Sequence, residues 1–147
     1  MVKNVYSFRN DYSEGAHPRV LQALTDTNAV QTVGYGMDPC CREAADTICR
    51  LCAAPDADVQ FFVGGTQVNL VAIAAFLQPY EAAICAHTGH IHVHETGAVE
   101  ATGHKICAVE SPDGKLTPAL VESVLAQHNG TEHMVLPRLV YLSDTTE

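Results

Sequence analysis

Val59-Gln60-Phe61-Phe62-Val63-Gly64-Gly65-Thr66-Gln67 reads as a β-rich run that stops at two glycines and passes into an apolar segment reaching Leu77. Aromatic and β-branched residues over 59–63 favour a strand. The nearly all-round apolarity of 67–77, closed by Gln78-Pro79, predicts a buried helix. A strand feeding a buried helix through glycines is the unit from which α/β proteins are built.

Working outward, the same alternation recurs. Upstream, Pro18 opens a short helix with Val20, Leu21 and Leu24 on one face, and Asp38-Pro39 opens another whose Cys41, Ala45, Ile48 and Cys52 form a stripe at helical spacing. Downstream, Ala82-Ala83-Ile84-Cys85 predicts a strand, Thr96–Ala101 a helical turn and Lys105–Val109 a further strand. Pro112-Asp113-Gly114 then marks a turn. Thr117-Pro118 starts a helix with Leu120, Val121, Val124 and Leu125 on one face, His128-Asn129-Gly130 ends it, and Arg138–Leu142 predicts a last strand. Strictly alternating elements imply an α/β fold with a mostly parallel sheet and right-handed crossovers, and ligands gather beyond the carboxyl ends of such strands.

The chain has 147 residues, room for one ordinary domain. With 47% hydrophobic and 17% charged residues it is too apolar for a disordered chain, and its longest apolar run, Leu70–Leu77, falls well short of the ~20 residues a bilayer helix needs. The net charge of −9 provides no electrostatic footprint for nucleic acid or an anionic membrane, so any phosphate must be gripped locally. The N-terminal residues lack the apolar core of a secretory signal, which makes a cytoplasmic location with reduced thiols the expectation. Ser143–Glu147 follow an inner-looking strand at its ligand-facing end, and the expectation is a chain shorter than the complete fold.

Three groups of residues could carry chemistry. Gly64, Gly65 and Thr66 lie where a helix begins, with unpaired N–H groups, the positive end of the helix dipole and a hydroxyl, which suits an anion such as phosphate. The bland alternative is a tight turn with a threonine cap. His87, His90, His92 and His94, with Glu95, form the second group. In an extended segment His90, His92 and His94 would share a face, so a metal-dependent hydrolase is one reading, an imidazole laid on an aromatic cofactor another, and hydrogen-bonded loop histidines the plain one. The third group is Cys49-Arg50-Leu51-Cys52, a lone CxxC better read as core filler, with Cys52 on the buried stripe and with Cys85 and Cys107 as core residues within strands.

Five ordered blocks carry a resemblance. Phe8–Pro18, Gly34-Tyr35-Gly36-Met37-Asp38, Phe62–Asn69, Thr88-Gly89-His90-Ile91 and His94-Glu95-Thr96-Gly97-Ala98 run in the order and spacing of the low-specificity threonine aldolases, which are pyridoxal-phosphate enzymes of the aspartate aminotransferase fold (fold type I) also grouped with the β-eliminating lyases. Residues 1–147 as a whole resemble the N-terminal part of the large cofactor-binding domain of that family, a three-layer α/β/α structure. The resemblance implies that Gly64, Gly65 and Thr66 hold the phosphate of pyridoxal 5'-phosphate and that His90 stacks on its ring. It also implies that Asn10, Tyr35 and His94 line the substrate pocket.

The implied reaction breaks the Cα–Cβ bond of a small-molecule β-hydroxy-α-amino acid, threonine yielding glycine and acetaldehyde, after a base takes the β-hydroxyl proton. Relatives carry a second histidine that would align near Thr146, so His94 is the candidate base in its place, beside His90. A homo-oligomer, dimer or tetramer, is implied for the complete enzyme, with no metal, nucleic acid or membrane partner. The family attaches its cofactor to a lysine, and none of Lys3, Lys105 and Lys115 matches that position, so the expectation is that this chain alone is inactive. The alternatives are the hydrolase built on His87, His90, His92 and His94, and a non-catalytic relative that keeps only the fold.

Overall fold

Ala82, Ala83, Ile84 and Cys85 are shut off from solvent on both faces of the strand they form, as expected of a run with no polar face at the centre of a parallel sheet. In the computed structural model, which describes residues 14–143, this strand is β1 (Glu81–Ala86). It lies between β2 (Lys105–Val109) and β3 (Leu136–Val140), parallel to each, in the order β2-β1-β3. The helices are α1 (Pro18–Thr27), α2 (Pro39–Leu51), α3 (Gly65–Phe76), α4 (His90–Val93), α5 (Ala98–Ala101) and α6 (Pro118–Gln127). The chain divides into two compact units, one ending at Phe61 and one starting at Phe62.

In the second unit the sheet is covered on both faces. Alternate residues of a strand point to opposite sides. Ala83, Cys85 and Ile106 therefore join Ile73, Leu77, Ile91 and Val99 in one apolar cluster, while Ala82, Ile84 and Cys107 join Val124 of α6 in another. The order of strands explains the two layers. The chain steps from β1 to β2 in one direction and then back across β1 to β3, and right-handed crossovers made in opposite directions place their helices on opposite faces. The α/β class and the parallel sheet match the sequence reading.

Two boundary details have local causes. β3 starts two residues earlier than the sequence reading, at Leu136, and includes Pro137, which has no N–H to give to a ladder. The pairing with β1 slips at that point, Ala82 facing Pro137 and Ala83 facing Leu139, as a proline in an edge strand requires. The strand expected over 59–63 does not form. Among the described strands none pairs with it, and Val63 is almost wholly exposed, so its β propensity has nothing to act on.

The first unit contains α1 and α2. Both start as the sequence indicates: His17 Nδ1 accepts from the Arg19 N–H at 3.2 Å, Asp38 Oδ1 accepts from the Cys41 N–H at 2.9 Å, and each helix has proline in its first turn. No residue of either helix is buried. The expectation that Cys52 belongs to a buried stripe is therefore corrected: it caps the C-terminus of α2 and is exposed, and among the described residues of α2 none is buried. Cys85 and Cys107 are buried, as expected of strand cysteines. No helix among the described residues is long and apolar enough to cross a membrane.

Burial, with smaller contributions from the neighbouring Cys107 and Glu100, pushes the Cys85 thiol up to about 11 from 9.0. The folded protein therefore holds this proton more tightly than the unfolded chain does. The resulting stability is fully present below pH 9.0 and is lost as pH rises towards about 11. Urea unfolding at a series of alkaline pH values should show this fall, and a Cys85→Ala variant should show a smaller one. Identical pH profiles for the two proteins would remove Cys85 as the cause.

Candidate active site

α3 leads through Gln78-Pro79-Tyr80 into β1, so the helix begins near the end of the sheet where the strand finishes. Gly64 is its N-cap in extended conformation (φ −173°, ψ 160°), and no side chain caps the helix. The first helical bond runs from the Val68 N–H to the Gly64 carbonyl at 3.2 Å. The amides of Gly65, Thr66 and Gln67 thus have no acceptor within the helix and carry the positive end of its dipole. A Cβ built on Gly64 or Gly65 would meet nothing within 4 Å, and Thr66 is exposed at the same place. Open space in front of these amides leaves room for an acceptor.

Beyond β1, the Gly89 N–H closes a turn on the Ala86 carbonyl at 2.8 Å. A Cβ at Gly89 would come within 3.0 Å of that carbonyl oxygen and 3.1 Å of Cys85 Cβ, so glycine is what lets the chain turn this closely against the strand. The segment expected to be extended instead coils into α4, the His94 N–H bonding to the His90 carbonyl at 2.9 Å. This corrects the metal reading. Helical spacing brings His90 and His94 together, with ring centroids 5.5 Å apart and planes at 52°, and sends His92 elsewhere, exposed. His87 takes other partners, its Nδ1 accepting from the Ser111 N–H at 3.3 Å and lying 3.5 Å from Glu110 Oε2. Among the described residues no three His, Cys, Asp or Glu side chains form a group able to hold a metal ion.

Glu95 ties these pieces together. Its side chain is fully buried, and one oxygen, Oε1, lies 3.0 Å from His90 Nδ1 and 2.6 Å from Asn69 Nδ2. Asn69 sits four residues into α3, about 6 Å along the axis from Gly65. One carboxylate oxygen therefore joins the first turns of α3 to the imidazole. A carboxylate that is ionised can only accept, and would then take the hydrogen bond from the proton of His90 Nδ1. Sequence reading grouped Glu95 with the histidines and did not single out Asn69. The available signal was an amide side chain flanked by the apolar Val68 and Leu70.

The remaining candidates belong to the first unit, to other parts of the second, or fall outside the described residues. Tyr35 is in the first unit, at the tip of a turn with Gly36; both have positive φ (61° and 73°), the Met37 N–H bonds to the Gly34 carbonyl at 3.2 Å, and the phenol is fully exposed. Asn10, Lys3 and Thr146 lie outside the described residues. Lys105 starts β2, at the end of the sheet away from His90, and Lys115 Nζ is 3.4 Å from Asp113 Oδ2.

Comparison with known proteins gives three concordant results. Residues 8–147 match the family model described as β-eliminating lyase. Low-specificity L-threonine aldolases of Pseudomonas aeruginosa and of Pseudomonas sp. (strain NCIMB 10558) are each 32% identical over the whole of this chain and 42% of their own length. A solved structure of Leishmania major threonine aldolase superposes with a TM-score of 0.92 at 53% identity, covering 97% of this chain and 42% of that one. The chain thus spans less than half the length of these relatives.

Removing one of the two donors to Glu95 tests whether the bridge is under load. Asn69→Ala should lower the unfolding free energy by about 1.5–3 kcal/mol, the range for hydrogen bonds to charged groups. Denaturant titration measures it, and an unchanged midpoint would mean that the amide is not needed to satisfy the carboxylate.

Proposed function

Because the chain belongs to the β-eliminating lyase family, we propose that it supplies the phosphate-binding and ring-covering part of a pyridoxal-phosphate-dependent lyase of the threonine aldolase type. The substrate would be a β-hydroxy-α-amino acid, cleaved between Cα and Cβ. The observation that carries this reading is the shared oxygen of Glu95, which links the first turns of α3 to His90. An anion-binding helix start and a flat imidazole so coupled are what a phosphorylated aromatic cofactor needs.

In this reading the amides of Gly65 and Thr66 and the Thr66 hydroxyl hold the phosphate, with Gly64 leaving the approach open. His90 covers the pyridine ring. When bound, the cofactor supplies an electron sink for the bond that breaks. His94, exposed and beside His90, takes the β-hydroxyl proton, since imidazole is the side chain suited to proton transfer near neutral pH. Asn10 and Tyr35 are proposed to bind substrate. The covalent anchor requires a lysine, and neither described lysine is placed for it: Lys105 lies at the far end of the sheet and Lys115 pairs with Asp113. Lys3 lies outside the described residues and, by the resemblance, does not match the anchor position, so these 147 residues by themselves are expected to release no acetaldehyde from threonine.

A hybrid in which this chain replaces the matching part of the Leishmania major relative tests the reading. It should bind pyridoxal phosphate and convert threonine to glycine and acetaldehyde. A hybrid that folds and binds the cofactor yet cleaves no β-hydroxy-α-amino acid would overturn it. In that hybrid, Thr66→Ala should weaken cofactor binding by about 1.5–3 kcal/mol, the loss of one hydrogen bond to a charged group. His94→Phe should keep the cofactor and lose most turnover, and near-normal turnover would remove His94 as the base.

A further inference from the structure

We infer that Glu95 is a positioning residue whose buried carboxylate, held by Asn69, fixes the plane of His90 and keeps its proton on Nδ1. This deepens the lyase reading and rests on it for the use made of His90. Several unfavourable features converge on this residue. The side chain is completely removed from solvent, where a carboxylate is costly unless well partnered. Both donors reach Oε1, and among the described residues Oε2 is buried without a hydrogen-bond partner. The next residue, Thr96, has φ +53°, a left-handed conformation that a β-branched residue adopts only under constraint, followed by Gly97 at φ +74°. The Ala98 N–H closes that turn on the Glu95 carbonyl at 2.9 Å. The backbone is bent sharply enough to turn the carboxylate inward between α3 and α4.

What the arrangement secures is the orientation of one ring. Nδ1 sits next to the backbone of its own helical turn, so a bond there sets the plane of the ring while directing Nε2 away from the carboxylate. A free imidazole prefers its proton on Nε2. An acceptor at Nδ1 reverses that preference. Asn69 keeps Oε1 in place and ties it to α3.

Long-range proton–nitrogen correlation spectra of the chain labelled with 15N-histidine read the tautomer directly, with no cofactor present. His90→Gln identifies the resonance. In the unmodified chain the Nδ1–H form should predominate at His90, with a downfield, slowly exchanging proton. Glu95→Met, close in size and without an acceptor, should reverse the ratio in favour of Nε2–H. Glu95→Gln, which still offers a carbonyl, should retain part of the Nδ1–H population with its proton moved upfield. A folded Glu95→Met chain that keeps the Nδ1–H majority overturns the inference. If that variant does not fold, an unmoved Nδ1 proton in Glu95→Gln does the same. Titration with pyridoxal phosphate is a separate measurement: failure to bind it counts against the lyase reading and leaves the tautomer result standing.

Discussion

A single carboxylate oxygen, buried between the first turns of α3 and the imidazole of His90, constrains everything else at this end of the sheet. Two donors from elements 26 and 5 residues away in sequence converge on it. Without such a link, the helix start and the histidine turn would be independent features of the same rim. With it, the separation of the helix start and the ring is set by hydrogen bonds rather than by loop packing. Hydrogen bonds to a charge in a shielded place are short and directional, which is why so small a contact can set the geometry of two elements.

The topology explains why these residues meet at all. A helix that enters β1 from its amino end must begin near that strand's carboxyl end, and the chain leaving β1 must turn at the same place. The tight approach at Gly89 puts His90 at the rim immediately after the strand. Helix starts and strand ends then share one edge, the usual location of ligands in parallel α/β sheets. Membership of the β-eliminating lyase family and the 0.92 superposition on a threonine aldolase agree with that geometry.

How much of this was legible in the sequence depended on the range of the forces involved. Helix starts at Pro18, Pro39 and Pro118 were readable because their signals, a capping side chain and an N-terminal proline, act within four residues. β1 and β2 were readable because an unbroken apolar run has few other places to go. The run 59–63 is also rich in β-favouring residues but failed as a strand, since pairing depends on a neighbour that propensity cannot supply. The histidine segment was misjudged because an alternating HxHxH pattern looks extended, while the short-range turn at Gly89 started a helix instead. The stripe ending at Cys52 was judged buried on spacing alone, and spacing does not say what lies opposite. The link from Asn69 to Glu95 spans 26 residues and has no local signal beyond one amide among apolar neighbours.

The placement of β1 between two strands that follow it in sequence has a consequence for how the molecule is made. A hairpin can zip up as it leaves the ribosome, but a parallel centre strand emerges first and waits with both edges unsatisfied. β2 begins 19 residues after β1 ends, and β3 a further 27 residues beyond the last residue of β2. Loop closure of that kind is slow because entropy is lost before any ladder bond forms. During that interval an apolar ribbon of alanine, isoleucine and cysteine is open to unrelated nascent chains, so biosynthesis of this architecture favours conditions in which each polypeptide is kept apart from its neighbours until the last strand arrives.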